Sequence, residues 1–234
     1  MDEIQFVKLL SEKGIKIDNL TLNKFKIYAK ELIEYNQHTN LTAITDIRDI
    51  FLKHFYDSAI LLSYHKLLKS TELLDIGSGG GFPGLVIAIL RPDINVTLLD
   101  ATLKKTIFLE KVAKALNLIN VTIINQRAEK LHHFNTKKYD YITSRAVANL
   151  HVLLEISCQL LKIGGQLICL KANVENEILN LNPIMKKLGY EKNNQYFYLL
   201  PFENSQRSIL LFKKIVKTPA KYPREYQQIK KKPL

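Results

Sequence analysis

One glycine-rich stretch determines how the rest of this 234-residue chain is interpreted: Leu73-Leu74-Asp75-Ile76-Gly77-Ser78-Gly79-Gly80-Gly81-Phe82-Pro83-Gly84. Five of the nine glycines in the chain lie within these twelve residues. The apolar run before Gly77 predicts a strand, and Pro83 stands where the first turn of a helix is expected. Glycines at such a junction let the backbone approach a ligand closely, and the helix N-terminus supplies free N–H groups. The stretch therefore predicts a ligand site at the carboxyl end of a strand.

Short apolar runs alternate with helical patterns from about residue 71 onward. We expect strands at residues 72–76, 96–99, 121–124, 139–143 and 166–170, and helices at 84–90, 104–116 and 150–161. Two further strand-like runs, at 195–200 and 208–212, are separated by a hairpin-like distance. Fully apolar strands that alternate with helices predict an α/β fold, with a doubly wound, Rossmann-like parallel sheet covered on both faces.

The residues before this alternating region have helical periodicity. Apolar side chains recur at helical spacing over residues 22–33 and again over 47–62, and the polar stretch 36–42 between them predicts a loop. We expect one domain over residues 1–234. Its parts are a helical N-terminal extension (1–70), a ligand-binding core (71–212) and a basic C-terminal tail (213–234).

The positive charge is concentrated near the C-terminus. The chain has a formal charge of +12, and residues 181–234 carry 12 basic and 3 acidic side chains, a net charge of +9. The tail 213–234 holds eight basic residues and one acidic residue, interleaved with tyrosines and prolines. Such a charge indicates a polyanionic partner. From charge alone, a solvated tail that only aids solubility explains the pattern equally well.

Composition excludes several classes of protein. Apolar residues make up 47% and charged residues 24% of the chain, which is typical of a soluble globular protein and not of a disordered one. The longest apolar run, residues 85–90, is far too short to span a membrane, and the acidic start is not followed by a secretory signal. Cys158 and Cys169 have neither disulfide-framework nor metal-ligand spacing. We therefore expect a cytoplasmic protein without membrane association.

Two nucleotide ligands compete for the glycine loop. A dinucleotide fingerprint needs a small residue at the sixth position from Gly77, where Phe82 stands. The acidic Asp75, two residues before glycines at alternating positions, is instead typical of methyltransferases that use S-adenosylmethionine. Asp100, at the end of the next strand, can accept hydrogen bonds from ribose hydroxyls in either case. The loop thus favours S-adenosylmethionine, with a nicotinamide-dependent oxidoreductase as the alternative.

Five segments share specific motifs with one known family: Asn40-Leu41-Thr42, Lys53-His54-Phe55, the stretch from Asp75 to Gly84, Arg127-Ala128-Glu129 and Thr143-Ser144-Arg145-Ala146-Val147-Ala148. With these motifs the chain resembles the ribosomal RNA small-subunit methyltransferase G family, also called glucose-inhibited division protein B. The resemblance implies a class I methyltransferase sheet. It also implies methylation of N7 of one guanine in 16S rRNA, with S-adenosylmethionine as the methyl donor.

The sequence departs from the family pattern at two places. Lys171 is followed by Ala172, where the family usually has Lys-Gly. The tail has Glu225-Tyr226-Gln227-Gln228 after Tyr222-Pro223-Arg224, where the family usually has a Gly-Thr-Pro-type segment.

The resemblance also implies site residues. The expected cofactor contacts are Gly77, Phe82, Asp100, Ala101, Thr102, Ala128, Glu129 and Arg145. The expected RNA contacts are Asn40, His54, Arg127, Lys171 and Arg207. From the residues alone, Asn40 is equally suited to capping the segment that follows it, and His54 to the core. For an isolated glutamate such as Glu129, a place on the surface is the more common case. Arg145 can pair with the cofactor carboxylate or with an RNA phosphate.

The expected chemistry needs little from the protein. N7 of neutral guanine carries a lone pair and no proton, so we expect no general base, no catalytic triad and no metal, and we assign no catalytic residue. Rate should come from holding N7 in line with the methyl group. Asp57 is a weak candidate for stabilising the charge that develops on the purine, and a helix-surface aspartate is the more frequent role of such a residue.

The expected partner is 16S rRNA, within the small ribosomal subunit or an assembly particle, and the chain is expected to be a monomer. A non-catalytic RNA-binding protein on the same scaffold is the competing hypothesis. In either case the basic tail is expected to bind RNA and to leave the cofactor site unaffected.

Overall fold

The computed structural model describes residues 1–134, 136–172 and 174–234, and for Asn176 the backbone only. The strands are β1 (Glu72–Ile76), β2 (Asn95–Asp100), β3 (Val121–Asn125), β4 (Tyr139–Arg145), β5 (Leu161–Lys171), β6 (Tyr190–Leu199) and β7 (Gln206–Lys214). The helices are α1 (Glu3–Glu12), α2 (Asn19–Thr39), α3 (Ile47–Asp49), α4 (Asp57–Ala59), α5 (Leu61–Tyr64), α6 (Gly84–Leu90), α7 (Leu103–Ala115), α8 (Ala128–Phe134), α9 (Leu150–Ser157), α10 (Glu175–Ile178), α11 (Leu181–Leu188) and α12 (Tyr226–Lys231). A π-helix (Ile50–Tyr56) joins α3 to α4.

The seven strands form one sheet with the order β3-β2-β1-β4-β5-β7-β6. Strands β1 to β5 pair in parallel, and β7 runs antiparallel to both β5 and β6. The predicted parallel α/β sheet is therefore confirmed, and so is the predicted hairpin near the C-terminus. The direction of winding reverses between β1 and β4, which opens a crevice at the carboxyl ends of these strands.

Helices cover both faces of the sheet, and each face has its own buried cluster. The first cluster joins α1, α2 and the π-helix to α6 and α7, with the edge-to-face rings of Phe6, Phe25 and Phe51 at its centre. The second cluster joins α8, α9, α11 and α12 to the opposite face. The N-terminal helices therefore belong to the same core as the sheet. No helix of the described ranges is both long and apolar enough to cross a membrane.

Several predicted boundaries differ from the structure, and two of the differences have a clear physical reason. The stretch 36–42 is not all loop, because α2 continues to Thr39 and ends where Asn40 adopts a left-handed conformation with φ of 51°. Asparagine tolerates this conformation, so Asn40 caps the helix that precedes it. The helix predicted over 150–161 ends at Ser157, and Leu161 already begins β5. Buried helix and buried strand share the same apolar run here, and periodicity does not separate them.

The basic tail is not a solvated extension, so the alternative that its charge only aids solubility does not describe the whole segment. The side chains of Tyr222 and Ile229 are buried in the second cluster. Arg224 donates hydrogen bonds to both oxygens of Glu155, an entirely buried carboxylate on α9, at 2.8 and 2.6 Å. An ion pair thus holds the C-terminal segment against the core, just before α12 begins.

This ion pair generates a stability prediction. Arg224→Met leaves the Glu155 carboxylate buried without its cation, so we expect it to lower the free energy of unfolding by about 3 kcal/mol. Urea denaturation measures the change. Lys30→Met is the matched control, since Lys30 forms a 3.8 Å ion pair with Glu34 on the exposed surface, and it should cost less than about 1 kcal/mol. Equal effects of the two substitutions would contradict the anchoring role.

Candidate functional site

A cleft of about 410 Å³ lies at the carboxyl ends of β1, β2, β3 and β4. Seven of the eight residues predicted to contact a cofactor line it, and Thr102 alone does not. Two of the predicted RNA contacts, His54 and Arg127, also line it, whereas Asn40, Lys171 and Arg207 do not. The seven lining residues are Gly77, Phe82, Asp100, Ala101, Ala128, Glu129 and Arg145. The structure brings them together, and their binding roles stay predictions.

The floor of the cleft is the backbone after β1. The N–H groups of Gly77 and Ser78 both donate to the carbonyl of Leu99, at 2.7 and 3.1 Å, which turns the chain sharply at the strand end. Gly77 has φ of +69°, and a Cβ added there would lie 2.4 Å from Cγ2 of Val147. Only glycine fits at this position, because a side chain would fill the space beside Val147 and strain the turn.

Asp75 braces this loop from beneath and does not face the cleft. Its buried carboxylate accepts the N–H of Gly84 at 3.1 Å and the hydroxyl of Thr143 at 3.0 Å. Burial raises the pKa of Asp75 to about 7, against the effect of hydrogen bonds from neighbouring groups. The acidic residue before the glycines, which is part of the loop pattern in the sequence, therefore supports the shape of the loop.

Asp100 is the carboxylate that faces the cleft at the end of β2. One oxygen accepts the N–H of Gly79 at 3.0 Å, and the other accepts the N–H of Thr102 at 2.9 Å. These bonds fix the rotamer, and each carboxylate oxygen retains a lone pair for a further donor. The side chain is therefore set to accept hydroxyl groups. Thr102 contributes to the site by holding Asp100.

Glu129 lies in the first turn of α8, and its side chain is buried, so the surface alternative is wrong. Its Oε1 has no hydrogen-bond partner among the described residues. A buried acceptor without a donor is costly, and a ligand N–H or O–H in the cleft would satisfy it. Asp100 and Glu129 thus offer acceptors suited to a ligand that carries several donors, such as an adenosine.

Arg145 ends β4 and forms the opposite wall of the cleft. Its guanidinium donates to the carbonyl of Lys53 at 2.8 Å, to Nδ1 of His54 at 2.9 Å and to Oδ2 of Asp57 at 3.3 Å. It also lies 4.8 Å above the centre of the Phe82 ring. Arg145 therefore ties the π-helix to the sheet, and much of its donor capacity is used within the protein.

His54 has a defined protonation state. An arginine only donates, so Nδ1 of His54 accepts from Arg145, and Nε2 donates to the hydroxyl of Thr42 at 2.8 Å. Burial and the Arg145 charge lower the pKa of His54 to about 3. The ring also stacks on Phe82, with centroids 4.3 Å apart. His54 is thus a neutral, hydrogen-bonded histidine that also lines the cleft, and its predicted contact with RNA stays a prediction.

Asp57 is buried, so the helix-surface role that the sequence favoured for it is wrong. Besides Arg145, its carboxylate accepts the hydroxyl of Tyr198 at 2.8 Å and lies 3.5 Å from Nε of Arg207. It thereby links α4 to the hairpin of β6 and β7. Arg207 serves this network and has about a fifth of its side chain exposed.

The remaining RNA candidates occupy different settings. Lys171 is largely buried and pairs with Glu177, with Nζ 2.8 Å from Oε2. Arg127 borders the cleft, and its guanidinium lies 5.5 Å above the ring of Tyr226. Asn40 is exposed at the end of α2. Arg127 is exposed at the edge of the cleft, and it is therefore better placed than the largely buried Lys171 to contact an anionic ligand.

Sequence reasoning missed several residues that line the cleft: Leu41, Thr42, Lys105, Gln126, Val147 and Tyr226. Thr42 and Val147 lie inside segments that carry the family resemblance, so that signal was available. Tyr226 lies in the segment that departs from the family pattern, and only the tertiary fold brings it to the cleft. In the described part of the chain, no group of three His, Cys, Asp or Glu side chains is arranged to hold a metal ion.

The buried Asp75 generates a pH prediction. Its pKa is higher in the folded chain than the ordinary 3.8, so the stability that the protonated form contributes is lost as pH rises from about 4 through 7. Asp75→Asn keeps the shape and does not titrate. Urea unfolding between pH 4 and 8 should show the wild type losing up to about 4 kcal/mol relative to the variant. Parallel stability curves would contradict the raised pKa.

Known structures share this fold at low sequence identity. The precorrin-6y C5,15-methyltransferase of Geobacter metallireducens superposes with a TM-score of 0.53 at 14% identity, over 75% of this chain and 92% of that chain. M. jannaschii TYW2, solved in complex with AdoMet, superposes with a TM-score of 0.50 at 18% identity, over 63% and 70% of the two chains. At such identities the similarity shows the fold alone, which is the Rossmann-like sheet of class I methyltransferases.

Sequence comparison is more specific. The family described as rRNA small subunit methyltransferase G matches residues 21–207. The ribosomal RNA small subunit methyltransferase G of Leuconostoc mesenteroides is 39% identical over 240 aligned residues, which cover both chains fully. The Bacillus cereus protein of the same name is 40% identical over 94% of each chain. The motifs, the fold and these full-length matches agree, and the chain belongs to the rRNA small subunit methyltransferase G family.

Proposed function

We propose that this chain methylates N7 of a guanine in 16S rRNA, with S-adenosylmethionine as the methyl donor. The observation that supports this most strongly is the cleft at the carboxyl ends of the strands, where Gly77, Asp100 and Glu129 converge in a chain of this family. We further propose that residues 1–234 act as one methyltransferase domain, as a monomer in the cytoplasm.

The residues present fit an adenosyl ligand. Asp100 is held by two backbone N–H groups, and each of its oxygens retains a lone pair that can accept a ribose hydroxyl. Oε1 of Glu129, for which the described part of the chain supplies no hydrogen-bond partner, can accept a donor such as an amino group. Gly77 keeps the floor open beside Val147. When bound, S-adenosylmethionine supplies an electrophilic methyl group on a sulfonium.

The protein's contribution to the reaction is positional. Guanine N7 has a lone pair and no proton to remove, so the side chains need to orient the base and exclude water. The apolar faces of Phe82 and Val147 line the cleft, and the bonded Arg145 and His54 hold Phe82 in place. The Asp57 carboxylate is bonded to Arg145 and Tyr198, lies 3.5 Å from Nε of Arg207 and is not among the residues that line the cleft, so it supports this wall and is a poor candidate for stabilising the purine.

The RNA is proposed to approach the mouth of the cleft. Arg127 stands at its edge beside Tyr226, where it can meet a phosphate. Roles for Asn40, His54, Lys171 and Arg207 in RNA binding stay proposals. For Lys171 and Arg207 the ion pairs with Glu177 and Asp57 favour an indirect role, in which they shape the surface that RNA contacts.

The proposed reaction has a direct chemical test. The protein is incubated with labelled S-adenosylmethionine and either naked unmodified 16S rRNA or unmodified small subunits, and the RNA is then reduced and cleaved with aniline. N7-methylguanosine yields a strand break, so we expect one break at one guanine, and the better substrate identifies the natural one. Label without a break would place the methyl group on another atom.

Asp100→Asn is the matched variant for this assay. The amide keeps the size of the side chain, but its NH2 group meets the N–H of Gly79 or Thr102, where the wild type has an acceptor. The variant also loses the negative charge that would accept the ribose hydroxyls. Because a hydrogen bond to a charged group contributes about 1.5–3 kcal/mol, we expect the yield of strand breaks to fall at least about tenfold at limiting S-adenosylmethionine. An unchanged yield would exclude Asp100 from the cofactor site.

A further inference from the structure

The C-terminal segment contributes an aromatic ring to the cleft at the place where the sequence departs from the family pattern. Residues 225–228 stand where the family usually has a Gly-Thr-Pro-type segment, and in this chain they begin α12. Tyr226 at its start lines the cleft together with Arg127, Ala128 and Glu129. We propose that Tyr226 stacks on the adenine of the adenosyl ligand, and that the Arg224–Glu155 ion pair is the positioning pair that holds it there. This inference rests on the proposed function.

Tyr226 is held by a well-anchored segment. Glu155 on α9 accepts the backbone N–H of Arg224 at 3.0 Å as well as its guanidinium. The same guanidinium donates to the carbonyl of Lys232 at 3.1 Å, so Arg224 ties the start of α12 to its end. Tyr222 before the helix and Ile229 within it are buried. The position of the Tyr226 backbone is therefore fixed by contacts on both sides of it.

The ring stands on the side of the cleft that an adenine would occupy. Asp100 ends β2 and is set to accept ribose hydroxyls, and β3 lies next to β2 at the edge of the sheet. Arg127 and Glu129 follow β3, and Tyr226 contacts Arg127. The part of the ligand beyond the ribose in this direction is the base, whereas Arg145 and the switch point lie in the opposite direction.

Tyr226 also lines a second cavity. This cavity of about 650 Å³ lies between α8 and α12, and it shares Arg127, Glu129 and Tyr226 with the cleft. The half-buried Tyr226 packs against the second core cluster. Because its side chain lines both spaces, its removal would enlarge the cleft on this side in addition to removing the stacking surface.

Calorimetric titration tests the assignment. The probes are S-adenosylmethionine, S-adenosylhomocysteine and 5′-methylthioadenosine, which share the adenine, and only the first two carry the amino acid. We expect Tyr226→Ala to weaken all three by the same factor, about 10- to 100-fold, the value of one base–aromatic stack. Tyr226→Phe keeps the ring and should stay within about twofold of the wild type. Lys231→Ala, an exposed change on the same helix, should leave the affinity unchanged.

The outcomes separate this inference from the proposed function. A wild-type chain that binds none of the three probes contradicts the proposed function itself. A wild type that binds, with Tyr226→Ala binding equally well, overturns the role of Tyr226 alone. A Tyr226→Ala variant that loses S-adenosylmethionine but retains 5′-methylthioadenosine would place the ring against the amino acid, and that also overturns the assignment.

A double-substitution cycle tests the positioning pair. Glu155→Gln removes the charge that holds Arg224, so we expect weaker binding of S-adenosylmethionine in an otherwise wild-type chain. In a Tyr226→Ala background the same substitution should cause no further loss, since it acts through the ring. Equal losses in both backgrounds would show that the ion pair supports the fold in general, and would overturn its role as the positioning pair.

Discussion

The guanidinium of Arg145 is the junction on which the cleft depends. Arg145 is the last residue of β4, and its guanidinium donates hydrogen bonds to two groups of the π-helix, the carbonyl of Lys53 and Nδ1 of His54. It also lies over the face of the Phe82 ring. A cation with so little exposure needs partners, and Asp57 supplies the opposite charge. The same carboxylate holds Tyr198 and Arg207 of the β6–β7 hairpin. One charge cluster therefore fixes the N-terminal helices, the parallel sheet and the hairpin around a single opening.

The acidic side chains around this opening divide into two groups by their partners. Asp75, Asp57 and Glu155 are buried and bonded to protein donors, so they shape the loop, the wall and the tail. Asp100 and Glu129 face the cleft with acceptor capacity to spare. The second group supplies the acceptors that the proposed adenosyl ligand would use, within a chain that has a large positive charge. The division also shows why the position of a carboxylate in a motif does not by itself reveal whether it meets the ligand.

The sequence predicted what depends on local pattern. The bounds of β1 and α6 coincide with the prediction, because an apolar strand, a glycine turn and a proline mark them unambiguously. The setting of Asp57 was not predictable, since Tyr198 is 141 residues away in the chain and reaches it only through the tertiary fold. The ion pair of Lys171 with Glu177, six residues further along, leaves no signal in the periodicity of the sequence. The packing of the basic tail against the core was not predicted either, because it also depends on contacts between residues distant in the sequence. A six-residue helix in a basic segment has too few apolar positions to show periodicity, and its burial depends on Glu155, 69 residues away from Arg224.

A crystal structure of the chain with S-adenosylhomocysteine would show whether Arg145 keeps its bonds to the π-helix when the cleft holds a ligand. We expect ligand density between Asp100, Glu129 and Tyr226. We also expect that Arg145 keeps its bonds to the carbonyl of Lys53 and to Nδ1 of His54, at distances near the present 2.8 and 2.9 Å. An Arg145 guanidinium that has left His54 to bind the carboxylate of the ligand would contradict its role as the junction of the fold.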